Sequence, residues 1–592
     1  MPGSDSLMII LSYGTCVVGS FAVIFLFYTN SFLMKQRKKE IGLYNVLGLG
    51  KSLIAKMLLC ETLIVVAISL ILGLGGGILL NKLIFLFLLK MLHFDVALKF
   101  SIEIKAISGT LFLFNGIFAA NLLFNLIQIK LANPIELLHG GKQGEKEPKT
   151  KVIMTIIGVA ALGGGYYIAQ TTESPLTAMG LFFVAVILVI IGTYALFTAG
   201  SIALLKLLKK NKKFYYKTKH FTSVSGMLYR MKQNAVGLAN ICILCTCVLV
   251  TLSSTICLYK GIQDSIKRQF YMDGTITVTD SDYPDQVYED VKGLLKNKKY
   301  DSLYALSYYN YTGSLKKNKV HLNDYDYNHL ASINLISLED YNHYFNLNLS
   351  LNNNEAYLYS YEGYNNPTIS LENIPYTIKG QIKNRQLQAN NCFAPNNISI
   401  VINQSALNNY KLKSKSHFIG FNASKKVVDE VTTAIIHKDY NYLGNKYYLS
   451  IQNSYEDIDV IYELYGSLLF IGIFLSMMFL VAAIVIIYNK QISEGFEDQN
   501  KFEILQNVGM SQKEVKQTIQ FQVLIFFFVP LIVAIIHLAF AYPLILRILK
   551  GLLECNENVY LISTTSCIAG LIIIYTIVYL MTSKAYYRIV KR

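Results

Sequence analysis

The sequence predicts an α-helical polytopic membrane protein: nine transmembrane helices and one large extracellular α/β domain. The first observation behind this is a set of nine apolar runs, near residues 7–33, 57–80, 106–128, 152–170, 177–205, 235–259, 462–488, 519–546 and 559–582. A helix needs ~20 apolar residues to cross the hydrocarbon core, where no water is present to satisfy free N–H and C=O groups. The second is a hydrophilic stretch, residues 261–460, lying between the sixth and seventh runs. The third is composition: 53% of residues are apolar and 16% charged, against about 25% charged in an ordinary soluble domain.

Charge orients the chain. The net charge of +16 is unevenly distributed, since residues 261–460 hold 19 Lys plus Arg against 21 Asp plus Glu. The membrane portion carries the other 35 basic and 17 acidic residues. Basic clusters fall at Lys35, Arg37, Lys38 and Lys39, at Lys142–Lys151, at Lys209–Lys219, and at Lys584, Arg588, Lys591 and Arg592. They follow alternate helices, as cytoplasmic loops do under the positive-inside rule. This places 261–460 outside the cell and the C-terminus inside, and it excludes nucleic acid as the reason for the charge. Lys90, Lys99, Arg547 and Lys550 fall in short outer loops, where their stems can snorkel. Met1-Pro2-Gly3-Ser4 has no basic leader region, so no cleavable signal is expected: either the first helix inserts by itself with its N-terminus outside, or a helix preceding it is missing from this chain, and the second is favoured.

The cysteines suggest packing rather than chemistry. Cys242-x-x-Cys245 lies in an apolar run with no His or acidic neighbour, and Cys392 is the single cysteine of the hydrophilic region, which argues against a disulfide-stapled domain.

A repeat marks the inner face. Lys39-Glu40-Ile41-Gly42-Leu43-Tyr44-Asn45-Val46-Leu47-Gly48 follows the first run, and Phe502-Glu503-Ile504-Leu505-Gln506-Asn507-Val508-Gly509 follows the seventh. Aligning Gly48 on Gly509 pairs Ile41 with Phe502, Leu43 with Ile504, Tyr44 with Leu505 and Leu47 with Val508. Each copy is expected to form a short amphipathic helix between two transmembrane helices, ended by its glycine. Ser511-x-x-Glu514 is expected to restart the chain as a capping box. Such a helix would either lie on lipid or dock a cytoplasmic partner, and two copies favour docking. Gly50-Lys51-Ser52 resembles the end of a phosphate-binding loop, but the glycine that motif needs is Asn45 here. No nucleotide site is expected on this chain.

The segment RKKEIGLYNVLGLGKSLIAKMLLCETLIVV resembles the signature of FtsX-like permeases of ATP-driven transporters. Leu228-Tyr229-Arg230-Met231-Lys232-Gln233-Asn234-Ala235 and SEGFEDQNKFEILQNVGMSQKEV are similar to the bacitracin-type antimicrobial-peptide permeases of Gram-positive bacteria. That branch has ten helices in two FtsX-like units, with an extracellular domain between the seventh and eighth; its first helix has no counterpart here. The resemblance divides the chain into a first unit (1–130), central helices (131–260), an extracellular domain with stalks (261–460) and a second unit (461–592). It implies a permease that is not itself an enzyme, with two copies of a cytoplasmic ATPase carrying the ATP and Mg. Ile41, Leu43, Tyr44, Leu47, Phe502, Ile504, Leu505 and Val508 would couple to that ATPase. Stalks at 258–272 and 455–466 would carry its motion outward. It further implies a membrane histidine kinase as partner and a wall-targeting peptide antibiotic, or its lipid–pyrophosphate complex, as ligand.

Within 261–460, helices are expected over 284–298, 336–346 and 424–437, and strands near 275–279, 367–371, 398–402 and 417–421. Of the 42 tyrosines, 23 fall here, as a contact surface or, more plainly, as strand formers. His321, Asp324, Asp326 and His329 are close in sequence but are read as solvated loop residues rather than metal ligands. Lys267 and Arg268 could face a pyrophosphate, with lipid headgroups the plainer alternative. Three functions remain open: a resistance permease, a mechanical transmitter acting on an extracytoplasmic partner, and a sensor whose output is a kinase.

Overall fold

The computed structural model describes residues 4–91, 103–131, 152–210, 218–279, 284–324, 329–360, 363–382, 396–412, 414–438, 448–509, 511–553 and 556–590. Among these, nine helices are long and apolar enough to cross a membrane. They are α1 (Ser4–Val46), α2 (Lys51–Met91), α3 (Ile104–Leu131), α4 (Val152–Thr171), α5 (Pro175–Ala195), α7 (Thr218–Gln269), α12 (Ser454–Asn507), α13 (Gln512–Leu553) and α14 (Glu557–Val590). A π-turn at Leu196–Gly200 joins α5 to α6 (Ser201–Lys210). All nine expected runs fall on these helices. Pro175 opens α5, where its missing N–H is harmless, while Pro530 and Pro543 lie inside α13, which neighbouring helices tolerate in a bundle.

The membrane core is built mainly from the later helices. Leu249 and Ile262 of α7, Ile487 of α12, Phe527 of α13 and Tyr575 of α14 share one buried cluster. Cys242 and Cys245 are buried in it as free thiols, Cys245 Sγ lying 2.6 Å from Tyr575 Oη. Cys257 departs from the packing reading: it is disulfide-bonded. Cys392 and Cys555 lie outside the described residues. The helix α1 packs on α12 through Phe21 against Phe479, edge to face at 4.8 Å. Where α7 crosses α12, Gly472 allows close approach: a Cβ there would lie 2.5 Å from Thr255 Oγ1 and 2.6 Å from its methyl.

Between α7 and α12 stands the α/β domain. Its strands are β1 (Gly274–Thr279), β2 (Tyr300–Lys316), β3 (Lys319–Leu322), β4 (Leu330–Ser337), β5 (Glu355–Ser360), β6 (Thr368–Leu371), β7 (Ile374–Gln381), β8 (Asn396–Ile402), β9 (Lys415–Ala423) and β10 (Tyr448–Asn453). Its helices are α8 (Pro284–Leu295), α9 (Leu338–Phe345), α10 (Gln404–Leu407) and α11 (Lys425–Ile436). The sheet order is β10-β1-β9-β2-β3-β6-β7-β5-β8-β4, and β2 also pairs with β4. This closes seven strands into a barrel, filled by Tyr311, Ile333, Leu358, Ile369, Tyr376 and Ile400. The remaining edge, β9-β1-β10, carries α8 and α11 on one face, packed through Val287, Val291, Val428 and Ile435.

The three helices and four strands expected from sequence are present, but β2, β3, β4, β5, β7 and β10 were not expected. In β2, β4, β5 and β10 the apolar residues are interspersed with Asn, Ser, Tyr or Gln, and β3 is four residues long, so each is a weak strand signal by itself. Tyr311, Tyr341, Tyr359 and Tyr376 are buried, so much of the tyrosine content is core. His321 lies 3.8 Å from Glu372, while Asp324 accepts from Ser314. Asp326 lies outside the described residues.

His417 on β9 is partly buried beside Ser307 of β2, with Oγ 2.7 Å from Nδ1. Burial, reinforced by Lys415, pushes its imidazole down to about 4. The folded domain therefore holds it neutral, while the unfolded chain protonates it near 6.5. Its contribution to stability is complete above pH ~6.5 and is lost as pH falls towards ~4. Amide exchange in β2 and β9, corrected for intrinsic rate, should be faster at pH 5 than at pH 7, and His417→Asn should flatten that difference. Gly472→Val should separate α7 from α12 and cost about 1–3 kcal/mol, read as a lower thermal midpoint of the detergent-solubilised chain.

Candidate coupling site at the helix tips

The two sequence repeats occupy equivalent places, but neither is a separate short helix. Residues 41–46 are the last turns of α1, and 502–507 are the last turns of α12. This corrects the expected break between membrane helix and amphipathic helix. Between each apolar run and its tip, nothing interrupts the i→i−4 ladder, and both segments are good helix formers.

Each tip ends at its glycine. Gly48 has φ +94° and Gly509 φ +110°, a left-handed conformation that L side chains rarely adopt. In the first copy, Gly48 N donates to Asn45 O at 3.2 Å and Leu49 N to Tyr44 O at 3.0 Å, the paired bonds of a Schellman cap. Gly509 N donates to Gln506 O at 3.0 Å in the second. The expected capping box is formed: Ser511 N donates to Glu514 Oε2 at 2.9 Å, and Glu514 N to Ser511 Oγ at 3.3 Å. Gly50 stands at the equivalent position of the first copy and offers no side chain.

Burial divides the named residues the same way in both copies. Ile41 is 3% exposed, packed against Met34, Ile54, Leu58 and Ile129; Phe502, its counterpart, is 4% exposed and joins the central cluster. Leu43 and Leu47 are 49% and 71% exposed, and their counterparts Ile504 and Val508 are 62% and 81%. Tyr44 is half-buried, donating to Glu40 Oε1 at 3.0 Å. The side chains of Leu505, Arg268, Lys35, Lys38 and Lys39 lie outside the described residues. Each tip thus has an inward anchor and an outward apolar pair about one turn apart.

The anchoring polar groups differ, and sequence reasoning missed them. In the first unit Arg37 of α1 grips Glu61 of α2 with both carboxylate oxygens, at 2.7 and 2.8 Å, and reaches Glu40 at 3.4 Å. The same register places Asp498 and Gln522 in the second unit. Asp498 is buried and accepts from Tyr586 Oη of α14 at 2.5 Å. Glu494 and Lys490, one and two turns up α12, are buried on the same face. Their i, i+4, i+8 spacing is visible in the sequence and could have drawn attention to it.

From the second tip, α12 runs unbroken to the α/β domain. Its 54 residues amount to about 80 Å at 1.5 Å per residue. Strand β10 enters it directly, β1 follows α7, and β1 pairs with β10 from Gly274↔Asn453 to Thr279↔Tyr448. Ser454 N donates to Asp273 O at 2.9 Å, closing the junction. Both expected stalks are therefore the ends of long helices joined through adjacent strands. Lys267 is exposed on one of them.

Within the membrane, a cavity of about 290 Å³ opens between α4, α5, α7 and α13. Its walls are mostly apolar, with polar groups from Tyr166, Thr193, Thr246, Thr251 and His537. Tyr166 Oη lies 2.6 Å from His537 Nδ1, and Thr193 Oγ1 lies 3.0 Å from Nε2. Thr193 donates to Val189 O at 2.6 Å, so Nε2–H donates to Thr193 and Nδ1 accepts from Tyr166.

Two triplets of helices, each made of a long tipped helix, a glycine turn and two further spans, define a duplicated membrane-transport scaffold. Residues 14–134 and 473–591 both match the model of the FtsX-like permease C-terminal region. These matches support a permease of the FtsX and BceB type. It is 25% identical over 544 residues to ABC transporter permease protein YxdM of Bacillus subtilis, covering 88% of this chain and 82% of that one. It is 24% identical to the uncharacterised permease YvcS of the same organism, covering 93% and 86%. The bacitracin export permease BceB of Halalkalibacterium halodurans is 28% identical over 262 residues, covering 43% of this chain and 40% of that one.

Gly48→Ala and Gly509→Ala should each cost about 1–2 kcal/mol at the caps, and Ser511→Ala about 1 kcal/mol. Faster amide exchange confined to the tips, with the membrane bundle unchanged, is the expected reading.

Proposed function

We propose that this chain is the permease subunit of a transporter that confers resistance to cell-wall-targeting peptide antibiotics, and senses them, by removing the peptide or freeing its lipid target. The observation that carries the coupling half of this reading is the matched exposure of Leu43–Leu47 and Ile504–Val508 beyond the membrane bundle. Two apolar pairs at equivalent registers suit two copies of one cytoplasmic ATPase, which would hold the ATP and Mg. Ile41 and Phe502 then act as anchors that hold the tips, while the outward pairs, with Tyr44 and Leu505 beside them, meet the ATPase. The peptide half is supported by the bacitracin export permeases among the relatives.

In this reading the α/β domain is extracellular and the C-terminus cytoplasmic, as the basic clusters direct. A disulfide at Cys257, at the domain-facing end of α7, supports the same orientation, because disulfides persist in oxidising compartments. When the ATPases close, the tips move, and α12 carries the displacement to β10 without a hinge. A membrane histidine kinase could read the same displacement. The unbroken rod also favours one alternative, a mechanical transmitter that drives an extracytoplasmic partner without moving a small substrate.

The double variant Leu43→Asp/Ile504→Asp should weaken ATPase association by about 2 kcal/mol or more, read as loss of the ATPase from the purified complex while the permease stays monodisperse. Unchanged retention would remove the tips from the coupling role. Growth of a deletion strain against a panel of wall-targeting peptides separates the two functions. Selective hypersensitivity, restored only with an active ATPase, supports resistance; uniform sensitivity supports the transmitter.

A further inference from the structure

A second pocket, of about 350 Å³, lies on the tip face of the bundle between the first turns of α13 and the last turns of α14. Its lining brings together Lys516, Gln520, Ser583, Lys584, Tyr587 and Arg588. Lys584 and Arg588 are four residues apart and so share one face of α14. Lys516 faces them from α13, its Nζ 5.8 Å from the Tyr587 ring centroid. None of the three cations has a carboxylate partner among the described residues. Glu514, the nearest acid in sequence to Lys516, is engaged by Ser511 in the capping box. Ser583 is buried at the pocket wall, where a hydroxyl and the Gln520 amide add uncharged hydrogen-bonding groups.

Lys516, Lys584 and Arg588 are exposed at the pocket mouth, where together they complement an anion placed between them. Depth indicates which anion. The apolar runs of these two helices cover 519–546 and 559–582, so Lys516 lies just before one run, and Ser583, Lys584 and Arg588 just after the other. That is the headgroup layer, where basic pockets between membrane helices take lipid phosphates. The guanidinium of Arg588 offers a planar pair of donors, and the ammonium groups of Lys516 and Lys584 act as point charges. In the register that superimposes Gly48 on Gly509, Lys516 and Gln520 correspond to Ala55 and Leu59.

We propose that this pocket is a binding site for the phosphate headgroup of an anionic membrane lipid, held between α13 and α14 at the face that carries the tips. The site stands on the membrane placement of these helices and is independent of the peptide-resistance reading. A lipid wedged there joins the start of α13 to the end of α14, directly behind the cap at Gly509. Occupancy would therefore stabilise the second tip and leave the first unaffected.

The test uses the full chain in nanodiscs of phosphatidylcholine with or without phosphatidylglycerol. Bound lipid is read by native mass spectrometry after release, and tip protection by amide exchange. The wild-type chain should retain phosphatidylglycerol and gain protection at 500–515 but not at 41–54. The triple variant Lys516→Gln/Lys584→Gln/Arg588→Gln should retain it on the order of 100-fold more weakly. Lys516→Arg/Lys584→Arg should keep it, which separates lost charge from lost folding. A control on the same face, Lys130→Gln/Lys206→Gln/Lys210→Gln, should leave retention unchanged. Equal retention by wild type and the Gln triple variant overturns the site, as does equal loss in the control. If the Gln variant loses ATPase association while retaining the lipid, the pocket is a protein contact instead.

Discussion

A bilayer supplies no hydrogen bonds, so each spanning segment must satisfy its own backbone, and it does so most simply by staying helical from end to end. In this protein that constraint continues past the membrane. The helix α12 enters from β10, crosses the bundle and ends only where Gly509 turns left-handed. Because no break intervenes, the α/β domain and the second tip are parts of one rod. Everything mechanical about the molecule depends on this continuity: a hinge would let the tip move without the domain, and none is present in the helix.

The two tips share a principle of construction and differ in how they are held. An inward apolar anchor, a left-handed glycine and an outward apolar pair recur at the same register. The first tip is gripped by a partly exposed ion pair, Arg37–Glu61, whereas the second sits on buried polar groups at Lys490, Glu494 and Asp498. The second tip is the one attached to the domain through the rod. The basic pocket between α13 and α14 lies beside that second tip.

The α/β domain joins two kinds of sheet. Its barrel encloses its own core, while the β9-β1-β10 edge is exposed until α8 and α11 cover it. The membrane helices connect through that edge, at the paired strands β1 and β10. Displacement of α7 against α12 is thus displacement within one strand pair, and the barrel beyond it can move as a unit.

Much of this was legible in the residues. Nine apolar runs specify nine helices because length and hydropathy decide spanning, and the repeat with its glycines and capping box located both tips. Leu43 and Ile504 were paired from register alone, and both are exposed. Which tip residues face inward was less accessible, because Ile41, Leu43 and Leu47 are all apolar and only the neighbours Ile54, Leu58 and Ile129 decide that Ile41 is covered. The polar strands, the Arg37–Glu61 grip and the His537–Tyr166–Thr193 contact join residues from different elements of the chain. By itself the sequence determined the spans, the charge asymmetry and the glycine stops, since each depends on the chemistry of neighbouring residues. Only the tertiary structure decided the barrel, the anchors and the α13–α14 pocket, since each depends on which distant surface is brought opposite.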